Sequence, residues 1–222
     1  MNHNFAIIMA GGLGSRFWPT STSHKPKQFL DVLNTGETLL QQTFRRVSLT
    51  IPKKNILIVT KSDYLNFCLD QLPEINKENI ICEPSRRNTA PCIALAAFKL
   101  KKIDPLANFI VTPADHLVTN ESEFKRIIQL GLSVTAKNNI LLTLGISPNK
   151  PETGYGYIQF KKEENSFNTE IKTVKTFIEK PELELAKSFL ETGEFLWNSG
   201  IFIWNANSIL SAFEKHMPEM YS

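Results

Sequence analysis

A glycine-rich run with cations close behind it is the first chemistry the chain offers. Ala10-Gly11-Gly12-Leu13-Gly14-Ser15-Arg16-Phe17-Trp18-Pro19 follows directly on the apolar run Phe5–Ala10. Glycines at Gly11, Gly12 and Gly14 let the backbone come close to a phosphate and turn its N–H groups inward. The carboxyl end of a strand is where open α/β sheets bind ligands. No Gly-Lys-Ser/Thr closes the run, so it is not a Walker loop. Phe17 takes the third glycine position of a dinucleotide fingerprint. Arg16 is joined by Lys25 and Lys27 in His24-Lys25-Pro26-Lys27-Gln28-Phe29-Leu30. A guanidinium and an ammonium over one loop can neutralise a triphosphate and stabilise charge developing on a leaving pyrophosphate. Farther on, Val111-Thr112-Pro113-Ala114-Asp115-His116 ends the fourth apolar run and places Asp115 where a carboxylate can hold Mg²⁺ against an α-phosphate. Taken singly, these residues have plain readings as a tight turn, surface cations and a turn cap. For His116 the plain role, orienting Asp115 or packing, is preferred, because attack by an ionised phosphate needs no general base.

These side chains need a scaffold that delivers strand ends to one place. Apolar, β-branched runs at Phe5–Ala10, Asn55–Thr60, Asn79–Glu83, Asn108–Thr112 and Ile140–Ile146 read as strands buried on both faces of a parallel sheet. Amphipathic stretches at Leu39–Leu49, Ser62–Leu72, Asn88–Ile103 and Ser122–Lys137 lie between them. This alternation predicts right-handed crossovers and an α/β, Rossmann-like doubly wound sheet. Beyond Ile146 the rhythm changes. Pro148, Pro151, Gly154 and Gly156 predict a loop, Tyr157–Lys161 and Ile171–Glu179 strands, and Pro181–Thr192 a helix. Phe195–Trp204 predicts a further strand and Asn207–His216 a further helix. The expected organisation is a single domain over 1–222. Its first half, with the glycine-rich loop, covers about 1–147 and a mixed-sheet half about 148–222, the latter incomplete.

Composition limits the alternatives. A net charge of 25 − 22 = +3 is too slight to imply nucleic acid as a partner. Cys68, Cys82 and Cys92 are scattered, with no metal-ligand spacing, and read as reduced thiols of a cytoplasmic protein. No apolar run reaches membrane-spanning length, so no membrane association is expected. The opening run is too short, and lacks the basic start, for a signal peptide.

Gly11 to Ser21 together with Pro26-Lys27-Gln28-Phe29 closely resembles the signature of sugar-nucleotide pyrophosphorylases. Trp18-Pro19 and Lys27-Gln28-Phe29 look like the mannose-1-phosphate guanylyltransferase branch. Five later segments agree in order and spacing: Glu83-Pro84-Ser85-Arg86-Arg87-Asn88-Thr89-Ala90-Pro91, Val111–His116, Thr153–Ile158, Phe177–Pro181 and Trp197–Phe202. The resemblance implies the nucleotide-diphospho-sugar transferase type of mixed sheet. It also implies GTP and mannose 1-phosphate as substrates, and Mg²⁺ held by Asp115. Glu83, Asn88 and Thr89 then fall in the base and ribose pocket, where Glu83 could accept from guanine N–H groups and Asn88 or Thr89 could equally cap a helix. Gly156 lies in the sugar-contacting loop. Glu179 and Asn198 would bind sugar hydroxyls, and Lys180 the sugar phosphate. Arg16, Lys27 and Asp115 carry the catalytic roles.

The sequence departs from the pattern at Arg86, where a small residue is common, and at its carboxyl end. Relatives of this branch continue past Ser222 into a Ser-x-Asp-type segment that supplies a second acidic ligand. A homo-oligomer or a completing carboxyl-terminal chain therefore stays open. So does a truncated, non-catalytic remnant that binds sugar nucleotides without turnover. A pyrophosphorylase for another base or sugar is disfavoured by Trp18-Pro19 and Lys27-Gln28-Phe29. A dinucleotide oxidoreductase lacks its ribose-binding acid, because the second strand ends in Thr60-Lys61-Ser62.

Overall fold

Ile7, Ile8, Ile58 and Ile110 are fully buried, because each sits on a central strand covered on both faces. The computed structural model describes residues 3–12, 18–22, 24–83, 89–162 and 170–221. The chain divides into two units, residues 1–142 with 202–222 and residues 143–201. The last stretch of chain thus packs with the first unit.

In the first unit β1 (Asn4–Met9) lies between β2 (Ile56–Lys61) and β4 (Asn108–Pro113), parallel to both. β3 (Ile80–Glu83) adds in parallel to the outer side of β2. The helices are α1 (Leu39–Ser48), α2 (Leu65–Gln71), α3 (Thr89–Ile103) and α4 (Glu121–Thr135), with α6 (Ala206–His216) and the short α7 (Pro218–Tyr221) near the end. α1 begins in a capping box: Thr38 Oγ1 accepts from Gln41 N–H, and the Gln41 side chain accepts from Thr38 N–H. α3 and α6 pack onto the sheet through Ala96, Ala97, Leu100, Ile209, Leu210 and Phe213.

β8 (Phe195–Asn205) passes from the second unit into the first, where its last residues pair antiparallel with β4, Val111 opposite Phe202. In the second unit β6 (Tyr157–Phe160) lies between β8 and β7 (Val174–Ile178), antiparallel to both. α5 (Leu183–Thr192) covers a small core of Tyr157, Ala186, Phe189, Phe195 and Trp197. β5 (Leu142–Ile146) pairs with β8. Thr143 Oγ1 donates to Ile201 O, and Ser199 Oγ donates to Leu144 O.

The α/β mixed-sheet expectation holds, with two corrections. The stretch Ile140–Ile146 does not extend the parallel run as a strand buried on both faces. Its ordered part is half-buried to exposed and joins β8, because the alternating apolar face of β8 takes the place beside β4. The strand expected from Ile171 starts at Val174, after a polar stretch with little to bury. The 3-10 turn at Lys27–Phe29 and the helix α7 were not foreseen, since segments this short carry no periodicity.

Candidate functional site

The end of β1 is fixed before any ligand is considered. Ala10 N–H donates to Val59 O, and Ala10 O accepts from Thr60 Oγ1 at 3.0 Å. Gln28, only 2% exposed, donates from one Nε2 to Ala10 O at 2.9 Å and to Gly12 O at 3.0 Å. The 3-10 turn after Pro26 thus lays a glutamine under the start of the glycine-rich loop. The same turn delivers the neighbouring Lys27 Nζ to Asp115 Oδ2 at 2.6 Å. Lys27 and Asp115 were singled out separately, and they meet. A Cβ placed on Gly12 would touch nothing within 4 Å, so open space lies beside that backbone. The Trp18–Pro19 peptide is cis. Gly14 and Arg16 lie outside the described residues.

His116 is half-buried beside this pair. Burial holds its imidazole below the ordinary histidine value; Asp115 opposes that, while Lys27 and Arg46 reinforce it. A neutral ring agrees with the supporting role. Glu83, at the end of β3, reaches the same loop: a Cβ on Gly11 would lie 3.5 Å from Glu83 Oε2. Burial pushes the Glu83 carboxyl up. Thr89 opens α3, so a place at a helix start is what the structure gives it. Asn88 falls outside the described residues.

In the second unit Gly156, Glu179 and Asn198 come together. Asn198 N–H donates to Gly156 O at 2.8 Å. A Cβ on Gly156 would sit 2.8 Å from Glu179 Oε2 and 3.6 Å from Asn198 Cβ, so only glycine lets the carboxylate approach that closely. Asn198 Oδ1 accepts from Gly200 N–H at 3.1 Å, which leaves the Nδ2 donors for a ligand oxygen. Gly200 has φ +69°, a left-handed conformation inside a strand, which glycine adopts without a Cβ clash. Lys180 Nζ donates to Glu179 Oε1 at 2.6 Å, and both side chains are exposed. Lys180 itself has φ +43°, a conformation that costs a non-glycine residue about 1 kcal/mol or more.

Asp115 is the carboxylate that could hold a metal. Among the described residues no group of three or more His, Cys, Asp or Glu side chains forms a closed cage. That donor set suits Mg²⁺, which binds through one or two carboxylates and substrate phosphates, with water completing its shell. Gln28, Thr43 and Arg46 belong to the site and were not assigned from sequence. The available signal was a glutamine between a lysine and the apolar pair Phe29-Leu30, and an arginine one turn after a threonine on the buried stripe of α1.

A profile of the nucleotidyl transferase family matches residues 5–222. Mannose-1-phosphate guanylyltransferase 2 of Escherichia coli O157:H7 is 40% identical over 98% of this chain and 46% of its own length. The chain spans about half the length of the curated relatives it matches. A crystal structure from Thermus thermophilus, described as a mannose-1-phosphate geranyltransferase, superposes with a TM-score of 0.88 at 28% identity, over 99% of this chain and 62% of that one. A Helicobacter pylori structure described as a mannose-6-phosphate isomerase gives 0.78 at 31%, over 97% and 76%. Among the described residues no helix is long and apolar enough to cross a membrane.

Proposed function

Because the chain belongs to the nucleotidyl transferase family, we propose that it is the nucleotidyltransferase part of a mannose-1-phosphate guanylyltransferase. The reaction is GTP plus mannose 1-phosphate to GDP-mannose plus pyrophosphate. A phosphate oxygen of mannose 1-phosphate forms a bond to the α-phosphorus of GTP. The bond from that phosphorus to the bridging oxygen breaks, and pyrophosphate leaves with the electron pair. Catalysis of this kind is positioning and charge neutralisation.

One observation carries the reading: Lys27 pairs with Asp115 at 2.6 Å while the adjacent Gln28 grips the carbonyls of Ala10 and Gly12. A cation, a carboxylate and a glycine-rich backbone are thereby assembled at the strand ends of one unit. Lys27, with Arg16, neutralises the triphosphate and the departing pyrophosphate. Gly11, Gly12 and Gly14 supply backbone donors to the phosphates. Glu83, Asn88 and Thr89 serve base and ribose. Asp115 holds Mg²⁺, which when bound neutralises phosphate charge. Glu179, Asn198 and the backbone at Gly156 hold the sugar hydroxyls, and Lys180 the sugar phosphate. Three free thiols support a reducing, cytoplasmic setting.

The test is pyrophosphate release by the full-length protein with each pairing of GTP or UTP and mannose 1-phosphate or glucose 1-phosphate. GTP with mannose 1-phosphate should be the preferred pair. Preference for UTP would move the assignment to another pyrophosphorylase. GTP binding without release would make the chain a binding remnant. Interconversion of sugar phosphates without nucleotide would favour an isomerase, as named for the H. pylori relative.

A further inference from the structure

Arg46 is 2% exposed on α1, yet it forms no salt bridge with any described carboxylate. Its Nη2 donates to Thr43 Oγ1 at 3.0 Å and to His116 O at 3.3 Å. Its Nε finds no hydrogen-bond partner, and the guanidinium lies 5.4 Å from the centre of the Phe124 ring. Thr43, fully buried, passes its own proton on to Ala114 O at 3.2 Å. Ala114 N–H is tied to Met9 O at 3.0 Å. Both carbonyls that flank Asp115 in sequence, Ala114 and His116, are therefore bonded to α1. Glu121 favours the Arg46 charge from a distance, while its own carboxylate is bonded to Arg45. A buried cation with no carboxylate in contact is costly, and an apolar residue of similar volume would serve packing better. Arginine does not shed its proton, so the cost stays. Its contacts converge on one feature, the backbone that carries Asp115.

We propose that Thr43 and Arg46 are a positioning pair that sets the Asp115 carboxylate for a metal-bound triphosphate. This rests on the reading of Asp115 as the residue that holds Mg²⁺. A threonine hydroxyl that accepts from a guanidinium is a stronger donor toward Ala114 O, so the two bonds reinforce one another. With both flanking carbonyls fixed, the side chain of Asp115 leaves the backbone in one direction, toward Lys27. Without them, the peptide plane before Asp115 and the one after His116 can turn and take the carboxylate with them.

Binding of Mn²⁺·GTP to the full-length protein, followed by electron paramagnetic resonance, tests this against metal-free GTP binding in chelator and thermal unfolding. Thr43→Val keeps shape and removes the hydroxyl. It should weaken Mn²⁺·GTP about ten-fold, the scale seen when partners of metal ligands are removed, with metal-free GTP binding unchanged. Thr43→Ser should restore it. Arg46→Lys, which keeps the charge but ends one bond short of the Nη2 position that donates to both oxygens, should fall between, and gives the same comparison if the valine variant does not fold. Wild-type Mn²⁺·GTP affinity in Thr43→Val or Arg46→Lys overturns the proposal, as does parallel loss of metal-free GTP binding. Asp115→Asn separates the two readings. If it weakens the metal complex while the α1 variants do not, only the positioning role falls. If it does not, the assignment of Asp115 falls and the pair's role with it.

Discussion

Lys27 and Asp115 are each about a quarter exposed, 23% and 24%, so their ion pair sits where solvent still screens it. Breaking it costs little in folding, about 0–1 kcal/mol. The same ammonium aimed at a pyrophosphate leaving group should matter far more. Lys27→Met is expected to lower kcat about 10²–10³-fold with a nearly unchanged denaturation midpoint, read by single-turnover pyrophosphate release beside urea unfolding. Lys180 allows a cleaner separation. Its φ of +43° is strained for lysine and easy for glycine. Lys180→Gly should therefore keep or raise stability by up to about 1 kcal/mol, while the KM for the sugar phosphate rises at least ten-fold. Glu83 supplies a pH dependence. Burial raises its pKa above the ordinary 4.5, so its neutral form is the one the fold favours. Its contribution to stability is thus fully present below 4.5 and is lost as pH rises through the folded value. A guanine that donates to Glu83 needs the opposite, ionised form. GTP affinity should therefore start to fall, on acidification, at a pH above 4.5, and Glu83→Gln should flatten that limb in a binding titration. The glycine-rich loop and the aspartate are legible in the sequence because they follow strand ends, and the lysine because it stands close behind that loop. Gln28, Thr43 and Arg46 were not, because they act through backbone carbonyls that no residue identity reveals.

Among the elements, those with long periodic patterns were the readable ones. β1, β2 and β4 are nearly continuous apolar runs, and α1 and α4 carry a buried stripe with a capping residue ahead of each, Thr38 and Asn120. β5 was misjudged because its mostly apolar residues satisfy a buried-strand pattern, while its burial depends on which strand β8 chooses as a neighbour. That choice is made far along the chain, outside any local window. The loop that enters β6 offers a prediction at this level. A Cβ on Gly156 meets the far end of the Glu179 side chain, not backbone, so the protein can yield by moving that carboxylate. Gly156→Ala should change stability by less than about 1 kcal/mol yet raise the KM for sugar phosphate, with the KM for GTP unchanged. Equal loss of both KM values would show that the glycine serves the fold alone.

At the level of the whole molecule, burial is unevenly distributed, and amide exchange should report it. β1 and β4 have fully buried residues and a hydrogen-bonded strand on each side, whereas β7, among the described residues, pairs with β6 alone and is exposed along most of its length. Exchange by mass spectrometry should be slowest at Ile7–Ile8 and Ile110–Val111 and fastest at Val174–Phe177. Thiol chemistry should follow the same map. Burial pushes Cys68 and Cys92 up to about 12, so neither is a thiolate near neutrality, and Cys82 should be the first to be alkylated in the native protein.

β8 inserts Ile201 and Ile203 into buried ground, offers Asn198 from the intervening positions and ends in Asn205, whose Oδ1 caps α6. Its inward and outward sides change with every residue, so distance along it is counted in pairs. One added or deleted residue between Asn198 and Phe202 would invert everything downstream and turn a core-facing isoleucine outward. Exposed positions of the strand can exchange side chains, but its length is quantised, and an odd-numbered indel there must be taken up by a bulge or cost the core its register.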